Sequence, residues 1–364
     1  MPPLTVASWS MSVGLALAVG SAVAPMEEVA EAPAPVTEDA GLLDFLVQDV
    51  CVDSAQRPVS GDPATCPRHR NLRLGEKLPY IVTDFDRKAG ISLGSMSSIP
   101  VRATDGSTMV LVTKSLQGRY APDFSFTFLN SRDAFDLIDI RHSGYASIVR
   151  TFDGGCFDQL FSRNGNARGM ANRAGGWILF PLARDRWSKN GSLPVTTWRT
   201  QLSPAGPQCA SNRGAGVTSW TAPATYTFET GKKLTAIRSD HFAAADLSQA
   251  ENSFERFYFT REYGMTRWEA WWTVAHCRKM LGAGSVRCGQ TPANTVRSRC
   301  SLLTTPAGAV SGIERWGGQP WVRMDCRDST RYVALKRPQL PLSPHIARGH
   351  GLIDIDYAGT IKPR

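Results

Sequence analysis

The sequence predicts an all-β chain, an antiparallel β-sandwich of jelly-roll or concanavalin/lectin-like type that contains disulfides. Three observations predict it. From residue 78 onward, short β-patterned runs follow one another about every ten residues, the spacing of strands joined by tight turns. Turn formers are abundant, with 32 Gly and 23 Pro among 364 residues. Finally, residues 253–273 alternate polar and apolar side chains on both sides of Tyr263-Gly264, which marks a hairpin whose Gly supplies a positive φ.

Taken in order, the chain opens with an apolar run, MSVGLALAVGSAVA at 11–24, that ends in the cleavage-like triplet Ala22-Val23-Ala24. Residues 1–24 are therefore expected to be a signal peptide, although no Lys or Arg precedes the apolar run. Residues 25–41 are rich in Ala, Pro and Glu and are expected to be a disordered linker. The remainder, 42–364, is expected to be a single β-rich domain with a Cys-rich C-terminal subregion. That organisation predicts a secreted or periplasmic protein with no transmembrane segment in the mature chain.

The eight cysteines read as a disulfide set in an exported chain. Cys51 is expected to pair with Cys66 and Cys156 with Cys209. Cys277, Cys288, Cys300 and Cys326 are expected to form two further bridges. None stands in C-x-x-C spacing, so no metal or redox role is expected.

The strand-like runs are LPYIVTDF, SIPVRAT, TMVLVTKS, DFSFTFL, AFDLIDIR and YASIVRTF. After a Gly/Asn/Arg-rich loop at 163–175 come WILFPL and then a Ser/Pro/Gly-rich stretch, 184–222, expected to be a second loop region. ATYTFET, KLTAIRSDHF and the 253–273 hairpin follow. Residues 267–281 can also be read as a helix. PWVRMDC and RYVALK are further strands, and the tail is expected to add one edge strand.

A two-residue turn at Tyr263-Gly264 would set Glu262 opposite Met265, Thr260 opposite Arg267, Tyr258 opposite Glu269 and Arg256 opposite Trp271. Phe257, Phe259, Trp268 and Ala270 then share an apolar face. Arg256, Tyr258, Glu262, Arg267, Glu269 and Trp271 share a polar and aromatic one, a surface suited to a sugar if it is open. The net charge of +9 favours an anionic partner, and no nucleic-acid-binding motif accompanies it.

The leading expectation is an exported carbohydrate-binding protein, for acidic glycans, acting through that polar face without a cofactor. Carbohydrate or another anionic envelope component is the expected partner. An alternative is a polysaccharide lyase or glycoside hydrolase on the same surface. His241, Tyr258, Glu262 and Glu269 are its candidate catalytic groups, a Tyr or His serving as base or two carboxyls flanking the scissile bond. The third reading is a structural or interaction protein of the cell envelope. No H-E-x-x-H, P-loop or dinucleotide fingerprint occurs. QDVCVD and ERFYFTREYGMTRWE resemble segments of uncharacterised exported bacterial proteins, a resemblance that implies no particular activity.

Overall fold

The computed structural model describes residues 43–84, 94–103, 108–115, 134–140, 144–153, 156–163, 177–201, 213–242, 252–288, 300, 302–306, 308–309, 313–316, 318–339, 353–355 and 360–363. The expected leader (1–24) and linker (25–41), the DFSFTFL run, most of the 163–175 loop and Cys209 lie outside the described residues.

Strands β1 (Asp49–Val52), β2 (Pro58–Val59) and β3 (His69–Asn71) form a small antiparallel sheet. There follow β4 (Leu78–Thr83), β5 (Ser95–Ala103), β6 (Thr108–Ser115), β7 (Ala134–Asp139), β8 (Tyr145–Asp153), β9 (Cys156–Arg163) and β10 (Trp177–Pro181). A one-turn helix, α1 (Arg184–Trp187), leads to β11 (Gly191–Gln201), β12 (Arg213–Thr227), β13 (Lys233–Phe242), β14 (Ser253–Thr260) and β15 (Gly264–Thr273). Helix α2 (Val274–Leu281) and a 3-10 turn (Val286–Cys288) precede β16 (Thr304–Thr305), β17 (Gly308–Ala309) and β18 (Ile313–Trp316). The last elements are β19 (Gln319–Asp328), β20 (Arg331–Gln339), β21 (Ile353–Ile355) and β22 (Thr360–Pro363).

The chain is an all-β antiparallel sandwich. One layer runs β10–β8–β7–β6–β5–β4–β20. The other runs β9–β11–β12–β13–β14–β15–β19–β18. The layers join at β8, whose first half pairs with β10 and whose second half pairs with β9. Between them, Phe180 of β10 meets Phe259 of β14 edge-on at 5.4 Å. Ser239 and Thr218 donate hydrogen bonds across the gap to the carbonyls of Leu179 and Ile178. In β6, Val110, Leu111 and Val112 are all fully buried, which explains why TMVLVTKS lacks the alternation of a half-wet strand.

The structure revises the sequence reading in four places. The 184–222 stretch is not a loop region, since it contains α1, β11 and the start of β12. Its β-branched residues in SLPVTTW and GVTSWTA carry the strands. Pro194 is tolerated because it pairs with β12 but precedes the β9 pairing, which begins at Thr196. Residues 267–281 divide into strand and helix, and Thr273 makes the break by accepting the His276 N–H as an N-cap at 3.1 Å. The tail holds two short strands, β21 and β22, that pair with each other.

The fourth revision concerns the hairpin register. Arg256 lies opposite Glu269, and Tyr258 opposite Arg267, two residues away from the expected pairing. The turn has three residues, Arg261, Glu262 and Tyr263, between the paired Thr260 and Gly264. The extra length lets Tyr263 turn inward, where its hydroxyl donates to Asp62 and accepts from Lys232. A two-residue slip preserves the alternation, so the face assignments survive it. Gly264 has φ +65°, and a Cβ there would meet the Ser98 Cβ at 2.4 Å and the Leu46 carbonyl oxygen at 2.9 Å. Both the conformation and the packing demand Gly.

Of the expected disulfides, Cys51–Cys66 is present, and the four C-terminal cysteines pair as Cys277–Cys288 and Cys300–Cys326. Cys209, the expected partner of Cys156, lies outside the described residues.

Candidate functional site

The polar face of the β14–β15 hairpin is built from strand alternation, as the sequence predicts, but it is not open. Arg256 and Arg267 are 0% exposed, Tyr258 and Trp271 1%, and Glu269 2%. A strand face carrying that much charge can be buried only if each ion is paired. The partners come from the neighbouring strands. On β13, Asp240 stands opposite Arg256 and Arg238 opposite Tyr258. On β19, Asp328 stands opposite Arg267, Cys326 opposite Glu269 and Arg323 opposite Trp271.

These side chains form one continuous network. Arg256 grips Asp240 with two hydrogen bonds, Nε to Oδ1 at 2.6 Å and Nη2 to Oδ2 at 3.1 Å. Arg238 approaches the same carboxylate at 3.3 Å. Arg267 gives Nε and Nη2 to Glu269 Oε1 at 2.9 and 2.7 Å, and Nη1 to Asp328 Oδ2 at 2.7 Å. Arg323 adds a third guanidinium hydrogen bond to Glu269 Oε1 at 3.0 Å. Trp271 Nε1 donates to Glu269 Oε2, also at 3.0 Å.

The cover is tied down chemically. Arg323 Nη2 donates to the Cys300 carbonyl at 3.0 Å, and Cys300 is bridged to Cys326, the residue paired with Glu269. Burial alone would raise the Glu269 carboxyl, but Arg267, Arg323 and Arg256 outweigh it and hold it at about 2. Arg267 is weakened by the same burial, yet Glu269 and Asp328 reverse the sign and lift it above its ordinary value.

The rings on this face are occupied as well. Phe254 stacks on Trp271 with centroids 5.6 Å apart and planes 8° from parallel. The Arg256 guanidinium lies 4.8 Å from the Trp271 centroid. Tyr258 meets Tyr226 and Phe228 edge-on at 5.4 and 6.3 Å, and burial drives its hydroxyl well above the usual phenol range. Trp271 and Tyr258, expected to stack on sugar rings, instead pack against the chain's own aromatic and cationic groups.

The remaining candidates are not brought to this face. His241 pairs with Glu255 and points to the opposite side of the sheet from Tyr258, into the gap between the layers. There it meets Trp177 at 4.6 Å and Phe257 at 5.1 Å, both edge-on. Its Nε2 lies 2.9 Å from the Ser239 hydroxyl, which itself donates to the Leu179 carbonyl, so Nε2 carries the proton. Burial lowers this imidazole to about 3, and it is a neutral core histidine. His241 therefore does not share a face with Tyr258, because successive residues of a strand point to opposite sides of the sheet.

Glu262 sits in the turn. Its backbone carbonyl accepts the Asp49 N–H at 3.1 Å and the Tyr80 hydroxyl at 3.2 Å. Burial raises its carboxyl, and the nearby charges of His69 and Arg261 do not reverse the shift. The guanidiniums therefore hold Glu269 below the usual carboxylate range, whereas at Glu262 burial prevails and raises the carboxyl. The two are not poised across a common cleft, and Glu269 is too acidic to donate a proton to a leaving group.

Two groups of residues escaped the sequence reading. Asp240, Arg238, Arg323 and Asp328 complete the buried network. Their signal was available, since placing β13 beside the hairpin puts Arg238 and Asp240, rather than His241, on the charged face. The second group gathers near the turn. Asp49 accepts from Asn71 at 2.8 Å, and its other oxygen lies 2.6 Å from His69 Nδ1. Burial raises Asp49 to about 6 against the opposing pull of His69. An Asp–His pair can orient an imidazole for base chemistry. Among the described residues, however, no hydroxyl or thiol is bonded to the other ring nitrogen of His69. No group of three or more His, Cys, Asp or Glu among the described residues is placed to hold a metal ion.

No protein-family model matches this chain, and neither a curated protein nor a solved structure matches it.

Proposed function

We propose that this chain is an exported structural or interaction protein of the cell envelope, and that the hairpin's charged face serves the fold rather than a ligand. The observation that carries the reading is the saturation of Glu269. Three guanidiniums and an indole N–H converge on a carboxylate that is 2% exposed, beneath a disulfide-anchored cover. Charges spent on one another offer nothing to a sugar hydroxyl or a uronate, and buried ring faces offer no platform.

Export is supported by the disulfides, which persist in oxidising compartments, together with the leader-like N-terminus. No helix among the described residues is long and apolar enough to cross a membrane. The test has two arms. Expressed with its own N-terminus in a bacterial host, the chain is expected in the envelope fraction, oxidised, with a mature end near residue 25. Recovery in the cytoplasm with that end intact would overturn the reading. On a glycan array no binding is expected. Saturable, salt-sensitive binding that Trp271→Phe weakens without lowering the melting temperature would restore the carbohydrate function.

A further inference from the structure

We infer that the loop closed by Cys277–Cys288 is a docking knob for a lipid surface carrying anionic headgroups. This rests on the envelope reading and names the partner. Four large apolar side chains are exposed among the described residues: Val59 at 38%, Met280 at 55%, Leu281 at 40% and Val286 at 54%. Three of the four sit on this one loop. Residues 278–284 are exposed without a break, and Gly282 and Gly284 within them leave the tip smooth.

The base of the knob is the opposite. Cys277, Cys288 and Val274 are buried with Val322 and Met324 of β19. Arg287 ties the base to β19 by donating to the Met324 carbonyl at 3.1 Å. The disulfide thus fixes the loop at its root and leaves Met280, Leu281 and Val286 in water, a local concentration of exposed apolar side chains of the kind that marks an interaction surface.

The charge on the loop selects the occupant. Arg278 and Lys279 are exposed beside the apolar tip, and no Asp or Glu occurs anywhere from Thr273 to Cys288. A few apolar side chains flanked by basic ones are what a shallow interfacial contact requires, with apolar groups reaching the acyl boundary and cations meeting lipid phosphates. A stable protein interface would need about 800 Å² on each partner, more than three side chains on a tip supply. Polar glycans would gain nothing from the apolar tip.

The chain from residue 25 on contains every described element and is the form to test, by co-sedimentation with vesicles of phosphatidylcholine alone or mixed with phosphatidylglycerol. Binding is expected to the mixed vesicles only and to fall several-fold when salt is raised. Arg278→Gln and Lys279→Gln are each expected to weaken it about fivefold. Met280→Ser combined with Leu281→Ser is expected to abolish it while the melting temperature stays put, because neither side chain supports the core. Absence of binding to the mixed vesicles, or binding that ignores all these changes and so reflects the general basic charge, would overturn the inference. If the chain still fractionates with the envelope in that event, only the lipid assignment falls. If fractionation fails as well, the parent reading falls with it.

Discussion

The two glutamates of one hairpin have opposite fates. Glu269, in the body of β15, is almost fully buried and held at about 2, whereas Glu262, in the turn, is less buried and pushed upward. Burial acts in the same direction on both and more strongly on Glu269. The sign is set by the guanidiniums, three around Glu269 and none bonded to Glu262 among the described residues. Depth therefore does not decide whether a carboxylate in this fold is a structural ion. The strand register does, because it determines which arginines face which acids.

The largest effect is expected from removing the better-compensated charge. Glu269→Gln would leave Arg256, Arg267 and Arg323 buried around a neutral amide, a loss of about 3–5 kcal/mol. Denaturant unfolding with the m-value checked for two-state behaviour would measure it. A cost below about 1 kcal/mol would mean that the network is wet in solution and that the face is open after all.

Next comes the cover. Replacing Cys300 and Cys326 together by Ser releases the segment that accepts from Arg323, with an expected loss of about 2–4 kcal/mol. If the cover is what dries the network, hydrogen exchange of the β14–β15 amides should rise in this variant beyond what the global loss predicts. Exchange that merely tracks the global loss would assign the drying to the neighbouring strands. Gly264→Ala tests the turn at similar cost, about 1–3 kcal/mol from backbone strain alone, with the Ser98 contact added.

How much of this was legible beforehand follows the same physics. The sandwich, most strands and the two faces of the hairpin could be read, because alternation and turn residues are local signals. The register could not, since Tyr263-Gly264 marks a turn without stating its length, and the pull of Asp62 and Lys232 on Tyr263 is a long-range fact. Openness was the least legible property. The same Arg, Glu and Trp pattern describes a wet sheet face and a dry ion network, and what distinguishes them is Asp240, Asp328 and the Cys300 segment, which belong to other strands. The basic and apolar loop at 278–286 is not legible in the sequence, because an exposed Met or Leu carries no signature of its own.

Smaller effects should appear with pH, and two groups oppose each other. His241 falls from 6.5 to about 3 on folding, so the folded chain binds fewer protons and stability is lost as pH drops below 6.5. Asp49 rises from 3.8 to about 6, so the folded chain binds more protons and stability is lost as pH climbs through that range. Across their shared window the two slopes partly cancel. His241→Gln should make the chain gain stability on acidification from about pH 6.5 to 5, and Asp49→Asn should steepen its loss. Thermal melts at closely spaced pH values would read both slopes. Parallel profiles for the two variants would show that neither group titrates as its surroundings dictate.

The smallest effect closes the comparison between the glutamates. Glu262→Gln removes a carboxylate whose charged form burial disfavours, so at neutral pH it should be neutral or stabilising, by no more than about 1 kcal/mol. Its sign is more telling than its size. With its folded value raised, Glu262 contributes stability that is lost as pH rises above the ordinary 4.5, whereas Glu269, held at about 2, contributes stability that is lost as pH falls below 4.5. The Gln variants should therefore shift the acid limb of the stability profile in opposite directions, Glu269→Gln flattening it and Glu262→Gln steepening it. Shifts of the same sign would mean that Arg261 and His69 outweigh burial at Glu262 in solution and that the two ends of the hairpin are electrostatically alike.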